Sequence, residues 1–91
     1  MKIEFDPVKR DATLSARGLD MARCDEVFAA ETLTFPDDRR DYGETRNLTV
    51  GLLDDRMVIV VWTERGGTRR IISLRKANDR EKNTYGDRFG G

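Results

Sequence analysis

Glu64, Arg65, Arg70 and Arg75 lie between positions 64 and 75, and their side chains suit chemistry on an anionic partner. A carboxylate can accept a proton, and the planar fork of an arginine matches the geometry of a phosphate. The two adjacent glycines that follow Arg65 predict a tight turn between two strands. Because a hairpin would bring the four side chains together, we expect this group to form the functional site.

The charge of the chain is divided unevenly between its two halves. The 91 residues include 17 basic and 17 acidic side chains, so the formal net charge is zero. Residues 1–45 have a charge balance of −4, whereas residues 46–91 have a balance of +4. This distribution indicates an anionic partner for the second half, since a basic face guides RNA or DNA even on a neutral protein.

Four of the ten basic side chains of the second half lie on a strand predicted over residues 69–76. Side chains alternate between the two faces of a strand, which groups Arg69 with Arg75 and separates both from Arg70. Arg70 and Arg75 therefore share a face only if strand twist or a β-bulge intervenes, and the sequence leaves this open. Ser73 is interpreted as a sheet hydroxyl rather than a nucleophile, because the chain has no histidine to activate it.

The acidic cluster Asp37, Asp38 and Asp41 has the ligand type that Mg²⁺ prefers. Arg39 and Arg40 lie within this cluster and neutralise it. A charged loop is therefore the preferred interpretation, and no metal or other cofactor is expected.

Four other side chains have structural interpretations. Tyr42 is expected to pack its own loop against the protein, and Trp62 to pack in the core or at its rim. Cys24 lies on the apolar face of a predicted helix and is expected to be inert. Arg69 is expected to be a solvated strand residue.

The elements that must position these side chains form one domain, predicted over residues 1–91 with residues 86–91 frayed. A short strand leads into a helix that begins at Asp6 and Pro7 and ends before Gly18. Asp20 is expected to cap a second helix, whose apolar residues recur at helical spacing.

The remainder of the chain is predicted to be mostly sheet, with strands over residues 32–35, 46–53, 56–64 and 69–76. The apolar run 57–62 indicates a central strand covered on both faces. Asn78 and Glu81 match a capping box for a last short helix that ends at Tyr85. The expected fold is a small α+β domain in which two N-terminal helices pack on an antiparallel β-sheet and a short C-terminal helix follows.

The sequence contains no apolar stretch of membrane-spanning length and no basic-then-apolar leader. We therefore expect a cytoplasmic protein that makes no membrane contact. The single cysteine agrees with a reducing compartment.

Several segments together resemble the BrnT toxins of prokaryotic type II toxin–antitoxin systems. The resemblance spans nearly the whole chain and includes Gly18 after the first helix. It rests on "FDPVK" (5–9), "FPDDRRDYGETR" (35–46), "VGLLDDRMVIVVWTERG" (50–66) and "RIISLRKANDREKNTYG" (70–86). Each segment is weak alone, but their order and spacing together are specific.

The resemblance implies a RelE-like fold and a toxic ribonuclease activity that inhibits translation and growth. It also implies a BrnA-like antitoxin that neutralises the toxin and binds operator DNA, so that the toxin meets DNA only through the antitoxin. RNA can be cut without a metal by its own 2′-OH if protein groups take the proton and stabilise the phosphate. Transfer of the family motif favours Glu64 as the base and Arg65, Arg70 and Arg75 as the other catalytic residues.

The same resemblance adds Lys9 and Tyr85 as expected RNA contacts. Lys76, Arg80 and Lys82 either guide RNA or keep a helix soluble, and the sequence does not decide between these roles. We take Lys76 and Arg80 as RNA-binding candidates beside Lys9 and Tyr85.

The sequence departs from the family pattern at one place. Members of the family commonly carry Lys-His before the glycine after the first helix, where this chain has Ala16 and Arg17. The missing histidine motivates a second hypothesis, in which the protein is a non-catalytic partner of the antitoxin that acts in operator-DNA autoregulation.

Overall fold

The structure, a computed structural model, describes residues 1–39, 41 and 43–89. These residues form a small α+β domain of five strands and three α-helices. The strands are β1 (Lys2–Glu4), β2 (Leu33–Pro36), β3 (Asn47–Leu53), β4 (Arg56–Arg65) and β5 (Thr68–Lys76). The α-helices are α1 (Pro7–Arg17), α2 (Cys24–Ala29) and α3 (Asp79–Tyr85), and 3₁₀ turns cover Met21–Arg23 and Gly86–Phe89.

The five strands form one sheet in the order β1-β5-β4-β3-β2. Strands β2 to β5 pair antiparallel, as predicted. Strand β1 instead pairs parallel to β5, so the sheet is mixed and the predicted antiparallel pairing does not extend to this edge. A strand of three residues carries no pattern that identifies its neighbour, and only the path of the folded chain places β1 beside β5.

The helix ends follow the predicted capping residues. The Asp6 carboxylate accepts a hydrogen bond from Val8 N at 2.9 Å at the start of α1, and Gly18 ends this helix with a φ of 69°. Asp20 caps the 3₁₀ turn that precedes α2, and its carboxylate accepts a bond from Ala22 N at 2.9 Å. The predicted second helix therefore begins with a 3₁₀ turn and becomes α-helical at Cys24.

Each face of the sheet supports its own apolar cluster. One face, here called the α2 face, packs Val58, Val60, Trp62, Ile71 and Leu74 against side chains of the Met21–Arg23 turn and α2. The other, the α3 face, packs Val50, Met57, Ile59 and Ala77 with Tyr85 of α3 and Phe89. Strand β4 contributes to both clusters and is buried along residues 57–63, which confirms its prediction as a central strand.

Helix α2 packs closely against β3 at Gly51. A Cβ atom at this position would lie 2.7 Å from Val27 Cγ1 and 3.1 Å from Thr32 Cγ2, so only glycine permits the observed approach. At the other end of the chain, residues 86–89 continue α3 as a 3₁₀ turn and Phe89 packs against the α3-face cluster. The predicted frayed end covers residues 86–91, and of these residues 90 and 91 lie outside the described part of the chain.

Candidate functional site

A β-bulge at Ile72 decides which arginines share a face of the sheet. Val61 pairs with Ser73, but the next residue of β4, Trp62, pairs with Ile71, so Ile72 is an extra residue in β5. An extra residue resets the alternation of side chains. Arg75, opposite Ile59, and Arg70, opposite Thr63, therefore both lie on the α3 face. The sequence left open whether a β-bulge would place Arg70 and Arg75 on one face, and the bulge at Ile72 does so.

Arg70 is the more weakly held of these two arginines. Its cross-strand neighbour in β1 is Glu4, and Arg70 Nη1 lies 4.0 Å from Glu4 Oε1, which is too long for a hydrogen bond. The Arg70 side chain is 31% exposed. Since the contact with Glu4 is loose and the side chain reaches solvent, Arg70 can turn toward an incoming anion.

Arg75 is held firmly by Glu81 of α3. Its Nη1 and Nη2 atoms donate to the two carboxylate oxygens of Glu81 at 2.8 and 2.9 Å. These hydrogen bonds raise the pKa of Arg75 and lower the pKa of Glu81. Glu81 is also the N3 residue of the capping box, where it accepts from Asn78 N at 2.9 Å and donates its own N–H to Asn78 Oδ1 at 2.8 Å. The start of α3 therefore fixes the orientation of Arg75.

Glu64 and Arg65 lie at the end of β4, close to the hairpin turn. Glu64 is exposed and pairs with Arg69, which places it on the α2 face. Arg65 lies on the α3 face, where its Nη2 atom is 3.3 Å from Glu44 Oε2. The hairpin thus brings Glu64 beside Arg69, and the sheet separates it from Arg70 and Arg75.

Arg69 is a residue whose role was missed in the sequence. Its guanidinium carbon lies 4.1 Å from the ring centroid of Phe28 and 5.0 Å from that of Trp62, and its Nε atom is buried. The prediction of a solvated side chain is therefore wrong, because a half-buried cation–π stack holds Arg69 in place. Trp62 is buried as expected, and its Nε1 atom donates to Thr49 Oγ1 at 2.8 Å.

Comparison with known protein families identifies the family of this chain. The model of a family described as "Ribonuclease toxin, BrnT, of type II toxin-antitoxin system" matches residues 5–81. The chain belongs to the BrnT family. The resemblance seen in the sequence is thereby confirmed, and membership indicates a ribonuclease toxin with an RNA substrate and an antitoxin partner. A search of curated proteins found no significant match.

The four residues predicted to bind RNA in this BrnT chain lie on three elements, α1, β5 and α3. Arg80 is exposed and precedes Glu81 in α3. Tyr85, at the end of the same helix, is half-buried with its ring centroid 5.7 Å from that of Phe35. Lys76 is exposed at the end of β5, and Lys9 is exposed on α1. Arg80 directly precedes Glu81 and Lys76 directly follows Arg75, so these two are the nearest of the four in sequence to the Glu81 contact with Arg75.

Helix α1, which carries Lys9, is joined to the elements of the α2 face. Arg10 donates two hydrogen bonds of 2.8 Å to the Asp20 carboxylate at the start of the Met21–Arg23 turn. These bonds lower the pKa of Asp20 to about 2. Arg17 Nη1 donates to the carbonyl oxygen of Leu74 at 2.8 Å. Among the described residues, α1 forms no hydrogen bond or ion pair with Arg70 or Arg75, so we place its Lys9 outside the group that these two arginines form.

The acidic loop after β2 is held by an internal ion pair. Arg39 donates to the two oxygens of the Asp37 carboxylate at 2.7 and 2.9 Å, and these bonds lower the pKa of Asp37. In residues 1–39, 41 and 43–89, no three His, Cys, Asp or Glu side chains lie close enough to share a metal ion. The predictions for Arg40 and Tyr42 lie outside the described residues.

Two further features of this BrnT chain concern its cysteine and the length of its helices. Burial raises the pKa of the Cys24 thiol to about 12, so the thiol is protonated at neutral pH and a poor nucleophile. Within the part of the chain that the structure describes, no helix is long and apolar enough to cross a membrane.

The contact between Glu81 and Arg75 predicts a pH-dependent loss of stability. Glu81→Gln keeps a side chain that fits the capping box but removes the charge, and we expect it to cost about 1 kcal/mol of unfolding free energy at pH 7. The pKa of Glu81 is lowered in the folded protein from its ordinary 4.5. Its stabilising contribution is therefore complete above about pH 4.5 and is lost as the pH falls through the lowered value. Urea unfolding at pH 7 and at pH 3 measures the difference.

Asn78→Ala is the matched control, because it removes the cap and keeps the ion pair. It should cost about 1 kcal/mol at both pH values. If Glu81→Gln lowered the unfolding free energy by the same amount at pH 3 as at pH 7, the ion pair would contribute nothing to stability beyond the cap.

Proposed function

We propose that the protein is a metal-independent ribonuclease toxin that holds the scissile RNA phosphate between Arg70 and Arg75 on the α3 face. The observation that carries the proposal is the bulge at Ile72, because without it these two arginines would lie on opposite faces. Two guanidinium groups on one face can stabilise the charge that develops on a phosphate during cleavage.

The two arginines have different roles in the proposal. Arg75 is oriented in advance by its two hydrogen bonds to Glu81, so little side-chain entropy is lost when it meets the phosphate. Arg70 lies 4.0 Å from Glu4 and turns to the phosphate when RNA binds. Arg80, exposed beside Glu81, is proposed to contact the neighbouring phosphate.

The proposed reaction is attack of the RNA 2′-oxygen on the adjacent phosphorus. A base takes the 2′-OH proton, the bond from phosphorus to the 5′-oxygen breaks, and the leaving oxygen takes a proton from solvent. The chain has no histidine, so the base is proposed to be a carboxylate. Glu4 lies on the same face as Arg70 and next to it, whereas Glu64 lies on the α2 face beside Arg69. We therefore assign the base to Glu4.

The biological setting of the proposal follows the family. The fold is proposed to be RelE-like, and the toxin to act in the cytoplasm, where it is neutralised by a BrnA-like antitoxin. Contact with operator DNA is proposed to occur only through that antitoxin. The missing histidine also favours a second candidate function, a non-catalytic partner of the antitoxin in operator binding, and RNA cleavage separates the two.

The first prediction concerns the two arginines. Arg70→Ala and Arg75→Ala should each lower the rate of cleavage of a labelled RNA by about 100-fold, because each removes one group that stabilises the reacting phosphate. The assay uses antitoxin-free protein in excess EDTA. Arg56→Ala, which removes an exposed arginine at the far end of β4, is the control and should cleave at the parent rate.

Equal rates for the parent and both arginine variants would exclude the proposed phosphate site. Absence of cleavage by the parent protein would favour the non-catalytic function instead.

The second prediction concerns the base. Glu4→Gln should lower the cleavage rate by at least about 10-fold, because the proton of the 2′-OH then has no carboxylate to accept it. Glu64→Gln should leave the rate within about twofold of the parent. The opposite pattern, in which only Glu64→Gln is impaired, would return the base to the residue predicted from the sequence.

A further inference from the structure

A groove of about 540 Å³ lies at the end of the sheet opposite the β4–β5 hairpin. It is bounded by the β3–β4 turn on one side and by α3 with the 3₁₀ turn that follows it on the other. Three apolar residues and three basic ones line it: Leu52, Met57, Phe89, Arg56, Lys76 and Lys82. Nothing in the proposed chemistry of Arg70 and Arg75 uses this groove.

The lysines of the groove differ from the arginines of the α3 face in their pairing. Arg75 is bonded to Glu81, and Arg70 lies near Glu4. Lys76 and Lys82 are exposed and form no ion pair with any residue that the structure describes. Asp55 is the acidic residue that lines the groove, against three cations. The rim of the groove therefore carries a net positive charge, although Arg56 also lies close enough to Asp54 to lower the pKa of that carboxyl.

The apolar lining indicates which kind of anionic partner fits. Leu52 and Met57 are aliphatic, and Phe89 is half-buried with its ring packed against the α3-face cluster. Single-stranded RNA prefers flat aromatic faces on which its bases can stack. An aliphatic floor instead accepts the apolar side chains at positions i, i+3 and i+4 of an amphipathic helix. Acidic residues beside those positions would pair with the basic rim.

We propose that this groove docks an acidic amphipathic segment of the antitoxin. The proposal rests on family membership for the existence of the antitoxin, and on the charge and the lining of the groove for the chemistry of the segment. Lys76 and Arg70 are six residues apart on β5, a distance of about 20 Å along a strand. Antitoxin docking at the groove is therefore separable from RNA contact at Arg70, whereas Arg75 directly precedes the groove residue Lys76 in the chain.

Charge reversal in the groove tests the proposal. Lys82→Glu and Arg56→Glu should each weaken binding of the purified cognate antitoxin by at least about 10-fold, as measured by calorimetry, because an acidic segment is then repelled. Lys9→Glu makes the same change of charge on exposed helix α1 and should bind with the parent affinity. All three variants should unfold at the parent temperature, and Arg56→Glu, as a free toxin, should cleave RNA at the parent rate.

The remaining outcomes overturn the docking proposal in distinguishable ways. Parent affinity in both groove variants would show that the antitoxin binds elsewhere. Parent affinity together with slower RNA cleavage would assign the groove to flanking RNA. Affinity lowered equally by Lys9→Glu would show a general charge effect. Because the readout is antitoxin affinity, a parent protein that cleaves no RNA would refute the proposed function and leave this test valid.

Discussion

One extra residue in β5 sets the geometry on which the candidate site depends. Without the bulge at Ile72, strict alternation would place Arg70 on the face opposite Arg75. With it, the apolar residues Ile71 and Leu74 both remain in the α2-face cluster, and the two arginines both lie on the other face. The bulge therefore satisfies the packing of the core and the grouping of the polar side chains at the same time.

The capping box of α3 also orients a residue of the candidate site. Glu81 accepts hydrogen bonds from Asn78 N at the start of α3 and from the guanidinium of Arg75. A single carboxylate thus closes the first turn of the helix and orients a side chain of the sheet. The covering of the α3 face by Tyr85 and Phe89 and the position of Arg75 consequently depend on the same seven-residue helix.

Local features of the fold were predictable because their causes are local. Asp6 with Pro7, Gly18, and the capping box of Asn78 with Glu81 each carry their structural signal within four residues. The apolar run of β4 likewise identified the central strand.

Features that depend on distant parts of the chain were not predictable. The bulge lies in the pairing of β5 with β4, and the isoleucine at position 72 does not predict it. The parallel pairing of β1 and the stacking of Arg69 on Phe28 join segments far apart in sequence. The sequence therefore predicted which residues form the candidate site. Only the structure shows which of them lie on each face of the sheet. Glu64 shows the consequence, because its neighbour is Arg69 rather than Arg70.

The measurement that tests the central claim most directly is the response of arginine side-chain signals to bound nucleic acid. A ¹⁵N-labelled sample would be titrated with a single-stranded 2′-deoxy oligonucleotide, which cannot be cleaved through a 2′-OH. Arginine-to-alanine variants supply the assignments. The account predicts saturable shifts of the Nε–Hε signals of Arg70 and Arg75, with that of Arg69 unchanged. Shifts confined to Arg69, with Arg70 and Arg75 unaffected, would contradict it.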